Sequence, residues 1–258
     1  MSLNLIAKYY DILYGDVDDD LWMWDTLTHD PGGDLLEIGC GTGRLLLPLA
    51  KAGHRLTGID LSEVALQTAR AKIEAAGLTR QVTLQQADMR NFDLPQKNFA
   101  MALLPLNTFM HLHTVHDQLA TLNAIFRHLA ADGLLVIDLF NPDPTMLAEA
   151  DGRLYFEDEV VNKTSGYLVQ WYWRHDIELD KQMRHLTYVL DEIDEQGVVH
   201  RVQIPFSLRF CYRFEMELLL RASGFNVETI FGSYELEPFH GHSPRMIFMA
   251  AKLTEAGL

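Results

Sequence analysis

Residues 35 to 50 read LLEIGCGTGRLLLPLA and place Gly39, Gly41 and Gly43 at alternate positions between an apolar run and a segment of helical character. Glycine adopts backbone conformations closed to other residues, and without a side chain it lets the main chain come close to a ligand. A helix starting just after it would add free N–H groups and positive potential, so the loop reads as a cradle for a nucleoside-containing ligand. The bland alternative is a glycine turn that only reverses the chain. The dinucleotide fingerprint needs G-x-G-x-x-G; counted from Gly39, Arg44 holds its third glycine position, and the spacing is G-x-G-x-G instead.

Around this loop, short apolar runs at 34–39, 54–60, 82–88, 99–105 and 134–140 alternate with segments of helical spacing at Thr42 to Ala52, Ser62 to Ala76 and His116 to Ala130. That alternation predicts an α/β fold with a parallel sheet wrapped by helices. Such sheets bind ligands beyond the carboxyl ends of their strands, where the strand order reverses. The second strand ends in Asp60, whose carboxylate suits ribose hydroxyls, and the third ends in Asp88 beside Met89, suited to an adenine amine and ring. Singly, each acid reads equally well as a helix cap or turn residue, and Asp60 alone fits NAD too. In order, at successive strand ends, with the glycine loop, they form a nucleoside set.

After Phe140 the pattern changes. LYFEDEVVN, GYLVQWYWRHDIEL, MRHLTYVLDEID and VVHRVQIPFSLRF are strand-like and joined by turn signals at Ser165-Gly166, Asp180-Lys181 and Glu195-Gln196-Gly197. Val169, Trp171, Trp173 and Ile177 share one face, which has to be covered; the insertion reads either as a lid that shapes acceptor choice or as a stabilising layer or homodimer surface. A helix in FEMELLLRASGF and two strands close the chain. Three segments result: 1–153, with N-terminal helices and the cofactor-binding core; 154–210, the antiparallel insertion; and 211–258, completing the core.

EIGCGTG, GID and ADM resemble the first motif, the ribose-binding acid and the adenine-binding motif of the class I S-adenosylmethionine (SAM)-dependent methyltransferases, over roughly residues 30 to 140 and 213 to 252. The resemblance implies a Rossmann-like seven-stranded sheet with helices on both faces, and SAM as cofactor with S-adenosylhomocysteine as product. Carried over, Glu37 orders the glycine loop and the methionyl end, Gly39, Cys40 and Gly41 approach the cofactor, Asp60 and Leu61 hold the ribose side, Asp88 and Met89 the adenine, and Leu104 offers its carbonyl to the cofactor amine. YYDILYG, with Tyr10, Asp11 and Tyr14, is similar to the opening helix of the glycine and aminosugar N-methyltransferases, which closes over the site. Base-amine methyltransferases carry a Pro-Pro-aromatic clamp after the fourth strand; here LLPLNTF keeps Asn107 without it.

The acceptor site is expected to draw on His111, Tyr14 and Asn107 for catalysis, with His111 ahead of His113, His240 and His242 as a base, and on Arg209 and Tyr212 for substrate binding. The HLHTVH run lacks the carboxylate or thiol spacing that would complete a metal site, so no metal is expected. The 258 residues, 48% hydrophobic, suffice for one sizeable core, and a formal charge of −15 opposes binding to nucleic acid or anionic membrane. Two cysteines, Cys40 and Cys211, fit free thiols in a reducing cytoplasm. The reading is a cytoplasmic methyltransferase acting on nitrogen or oxygen of a small molecule. A nucleotide-binding oxidoreductase and a non-catalytic SAM-binding module are the alternatives.

Overall fold

The computed structural model describes residues 2–15, 17–29, 32–148 and 150–253. In chain order its elements begin with α1 (Ser2–Tyr14), α2 (Leu21–Leu27), β1 (Leu35–Ile38), α3 (Leu46–Lys51), β2 (Leu56–Asp60), α4 (Glu63–Ala75), β3 (Val82–Gln86) and β4 (Phe99–Leu104). A 3₁₀ turn over Thr108–His111 leads to α5 (Val115–His128), β5 (Leu129–Phe140) and α6 (Pro144–Ala148). There follow β6 (Tyr155–Val161), β7 (Leu168–Glu178), β8 (Met183–Ile193), β9 (Val199–Arg209), α7 (Arg213–Ala222), β10 (Phe225–Phe231) and β11 (Arg245–Lys252). Among the described residues no helix is long and apolar enough to cross a membrane.

The chain forms two compact units, Asp18–Asn141 with Cys211–Leu258, and Met1–Val17 with Pro142–Phe210. The first contains a seven-stranded sheet in the order β10-β11-β5-β4-β1-β2-β3, in which β1 to β5 are parallel and β11 runs antiparallel between β5 and β10. From β1 the chain moves outward through β2 to β3, then returns to β4 on the other side of β1. Right-handed crossovers in opposite directions put their helices on opposite faces, and the reversal lies between β1 and β4. Both strands are buried almost throughout, as central parallel strands must be.

The second unit differs from the segments expected of the sequence, because α1 and residues 142–153 belong with the insertion. Its sheet, in the order β6-β7-β8-β9, is antiparallel throughout. The face carrying Val169 and Trp171, with Leu190 and Ile204 from the neighbouring strands, packs against Tyr9 and Leu13 of α1. The apolar stripe of α1 and the one-sided sheet each bury what the other leaves uncovered.

Two local expectations are corrected. The helix expected over Thr42 to Ala52 runs only over Leu46–Lys51, because Gly39, Gly41 and Gly43 all have positive φ and the intervening chain is turn rather than helix. Six residues make too short a helix to supply the positive end expected of it. The helix expected from His116 begins at Val115, capped by the Thr114 hydroxyl, which accepts the Asp117 N–H at 3.1 Å.

Candidate active site

The carboxyl ends of β1, β2 and β4 frame the glycine loop. The N–H groups of Gly39 and Cys40 both donate to Ile59 O, at 2.8 and 3.0 Å, and tie the loop to β2. Gly39 has φ +72°, and a Cβ there would lie 2.5 Å from Thr108 Cγ2, so the turn after β4 closes against a bare backbone. Gly41, at φ +55°, has open space where its Cβ would be. Its N–H donates to Asp60 Oδ2 at 2.9 Å, while the Ser62 N–H donates to Asp60 Oδ1 at 2.7 Å. Two backbone donors thus aim the carboxylate. Burial raises the Asp60 pKa, opposed by N–H groups of Ser62, Gly41 and Leu61. Leu61 is half-exposed beside it.

Glu37 is buried at 2% exposure, and its Oε2 has no hydrogen-bond partner among the described residues. Desolvation pushes its pKa up to about 8, against the lowering effect of Arg44 and with Asp60 and Asp20 adding to the rise. Arg44, the residue that breaks the dinucleotide pattern, donates through Nη1 and Nη2 to Asp20 at 2.6 and 2.7 Å, and Trp24 Nε1 donates to the same carboxylate at 2.9 Å. Asp20, at the start of α2, is fully buried. Nothing in the run DVDDD singles it out by sequence.

The Cys40 thiol is buried among core side chains, so only the backbone of Cys40 is presented by the loop, which narrows the role expected of it. Asp88, expected to hold the adenine amine beside Met89, is paired with the Arg90 guanidinium (Nε to Oδ1 at 2.9 Å), which holds its carboxyl below the usual range. Arg90 also lies 3.6 Å from Asp117. Met89 is half-buried, and Leu104 is fully buried at the end of β4.

Beyond Leu104, Leu106 and Asn107 occupy consecutive left-handed conformations, with φ +46° and +63°. For residues with a Cβ this costs about 1–2 kcal/mol each. The Asn107 side chain is used within the fold: its Oδ1 accepts the Phe140 N–H at 2.7 Å and Arg245 Nη2 at 3.3 Å. The 3₁₀ turn then delivers His111, which solvent reaches although protein crowds it. Burial, with a smaller push from His113, lowers its pKa to about 4. Gln118, fully buried and missed by sequence reasoning, donates to Leu112 O at 3.4 Å and Cys211 Sγ at 3.3 Å. That bridge brings the start of α7, with half-exposed Tyr212, beside the His111 segment.

Three expected residues belong to the other unit. The Tyr14 hydroxyl bonds that of Tyr188 at 2.7 Å, its ring lies 5.1 Å from Tyr10, and burial raises its pKa well above the usual phenol value. Arg209 is buried and donates to Gln182 Oε1 at 3.1 Å.

A family model described as a methyltransferase domain matches residues 35–133. The chain is 32% identical over 198 residues, 77% of each chain, to the dTDP-3-amino-3,4,6-trideoxy-alpha-D-glucopyranose N,N-dimethyltransferase of Streptomyces venezuelae. The chain belongs to the SAM-dependent methyltransferases. A putative methyltransferase, YqeM of Bacillus subtilis, is 26% identical over 95% of each chain. The solved CcbJ methyltransferase of Streptomyces caelestis has the same fold, with a TM-score of 0.78, 20% identity and 96% of each chain covered. Family membership removes the oxidoreductase alternative, and the cofactor is SAM. The residues present fit it: Gly41 leaves open space, Glu37 offers an unpartnered buried carboxyl to a cation, Asp60 is aimed by two amides, and Leu61 shows an apolar surface beside them.

A pH dependence follows. Free of ligand, Glu37 holds its proton up to about pH 8, whereas a cationic ligand favours the carboxylate. Contact between Glu37 and the cofactor's cationic end would therefore release a proton on binding, and SAM affinity should then rise with pH between about 5.5 and 7, by up to about tenfold per unit. Glu37→Gln should flatten that slope in calorimetry. The linked stability effect has the opposite sign: the folded pKa lies above the unfolded one, so the free protein loses stability as pH rises from about 4.5 to about 8. Glu37→Gln should remove this loss, and an unchanged slope in both measurements would refute the assignment.

Proposed function

We propose that the chain methylates an amine nitrogen of a small molecule. The observation that carries the choice of nitrogen over oxygen is the 32% identity, over 77% of each chain, to an amino-sugar N,N-dimethyltransferase. An alcohol must lose a strongly held proton as it attacks, which calls for a base at the site. A neutral amine already has its lone pair and needs only alignment. The amino-sugar N,N-dimethyltransferase among the relatives supports this acceptor class.

The bound cofactor supplies a methyl group activated on a sulfonium. With the cofactor bound, an acceptor nitrogen would take that methyl through its lone pair, the S–C electron pair would go to sulfur, and the methylated ammonium would release its proton to water. The protein's part is positional and electrostatic. In this reading, Asp60 and the glycine loop fix the nucleoside, the ionised Glu37 balances the cofactor's cationic end, and His111 accepts a hydrogen bond from the acceptor N–H. Arg90 yields or shares the Asp88 carboxylate when the adenine amine arrives, an exchange made cheap by the exposure of the pair.

The test is a panel of dTDP-linked 3-amino sugars and simple primary and secondary amines, each matched with its hydroxyl counterpart, scored by S-adenosylhomocysteine release and by the mass gain of one methyl. Amines should react about 100-fold faster than the matched alcohols. Preferred transfer to hydroxyls would overturn the choice of nitrogen, and SAM binding without transfer to any compound would favour the non-catalytic module. As a control on the cofactor site, Asp60→Ala should weaken S-adenosylhomocysteine binding by about 1.5–3 kcal/mol, through loss of charge-assisted hydrogen bonds.

A further inference from the structure

The left-handed pair Leu106–Asn107 lies between the end of β4 and the turn that carries His111, and it is held from outside. Asp138, fully buried on β5, accepts the Leu106 N–H through Oδ2 at 3.0 Å, and its main-chain oxygen accepts the Asn107 N–H at 3.0 Å. Arg245, at the start of β11, donates to Asp138 Oδ1 through Nε at 2.8 Å and also through Nη2, which reaches on to Asn107 Oδ1 at 3.3 Å. The Tyr234 hydroxyl donates to Asp138 Oδ2 at 3.2 Å, and its ring lies 5.3 Å from the Arg245 guanidinium carbon. The contacts converge on one strained turn from residues 30 to 140 positions away.

Strain of this kind persists only where the surroundings over-determine it, and it concentrates at functional sites. Here the restrained segment meets the cofactor loop, since Thr108 seals against Gly39. A conformation imposed at Leu106–Asn107 therefore sets where residues 108 to 111 stand relative to the glycine loop. The bonds that aim Asp60 come from Gly41 and Ser62 instead and share no residue with this network.

We propose that Asp138, Arg245 and Tyr234 are positioning residues for methyl transfer, acting through Asn107 on the loop from Pro105 to His111 and governing the transfer step rather than cofactor affinity. The assignment to the transfer step rests on the reading that this loop faces the acceptor. The fork of the guanidinium is essential to it, because one side chain must serve two carboxyl or amide oxygens at once; an ammonium of equal charge is not equivalent.

Two variants of the full chain keep the test clear of misfolding. Asn107→Gly retains access to the left-handed backbone but deletes the amide, and Arg245→Lys retains the buried positive charge but loses the fork. Each should bind S-adenosylhomocysteine within about threefold of the parent in calorimetry. Amide hydrogen exchange at Leu106 and residue 107 should accelerate at least about tenfold, and kcat toward the most reactive amine of the panel should fall at least about 30-fold with KM within about threefold. Unchanged exchange, unchanged kcat, or a loss of S-adenosylhomocysteine affinity equal to the loss of transfer would overturn the proposal. If the panel contains no amine substrate, the nitrogen-acceptor reading fails by itself, and exchange with S-adenosylhomocysteine binding decides the positioning role: faster exchange at intact affinity sustains it.

Discussion

Arg44→Met should destabilise the protein by about 3–5 kcal/mol, a large share of the roughly 5–15 kcal/mol that holds a typical domain folded. Asp20 is fully buried, and both of its oxygens accept from Arg44, whose own side chain is only 7% exposed. With the guanidinium removed, the carboxylate is left in the interior with the Trp24 indole N–H as its remaining donor among the described residues. Desolvation of a charge without its counter-charge makes breaking such a pair costly, although building the pair gains little. The double variant Asp20→Asn, Arg44→Met should therefore recover much of the loss. Urea unfolding of the two single variants and the double variant measures this, and a midpoint for Arg44→Met matching the parent would show that the pair is not desolvated as described. Because Arg44 also lowers the Glu37 pKa, the single variant should keep Glu37 protonated to still higher pH and weaken SAM binding at neutral pH.

Gly39→Ala should cost about 2–5 kcal/mol and abolish measurable cofactor binding, from left-handed strain of about 1–2 kcal/mol and an overpacking term of about 1–3 kcal/mol. At φ +72° the added methyl would stand 2.5 Å from Thr108 Cγ2 and 3.2 Å from Thr108 Oγ1. Either the glycine loop or the turn after β4 has to move, and a displaced glycine loop no longer frames the cofactor side of the site. Thr108→Ser in the Gly39→Ala background removes the nearest carbon and should restore part of the stability, leaving the backbone strain. Thermal unfolding and S-adenosylhomocysteine calorimetry of the single and double variants check this. Gly39→Ala binding the ligand like the parent would contradict the close approach of the two loops.

The sequence by itself determined what local chemistry controls. The alternation of apolar runs with helical segments specified a parallel sheet, and the placing of Gly39 and Gly41, and of Asp60, at successive strand ends was legible because each signal sits at the end of its own strand. The one-sided pattern of residues 168–210 specified an antiparallel sheet for the same reason, since a period of two is visible within a single strand. Only the tertiary structure decided which distant groups meet. Arg44 finds Asp20 across 24 positions, Arg245 finds Asp138 across 107, and α1 covers a sheet more than 140 residues later in the chain. No spacing rule encodes such pairs, because their proximity comes from strand order and helix packing. Burial is likewise collective: it shifts Glu37 to about 8, so that a side chain identified by type acquires a protonation state that residue type alone does not contain.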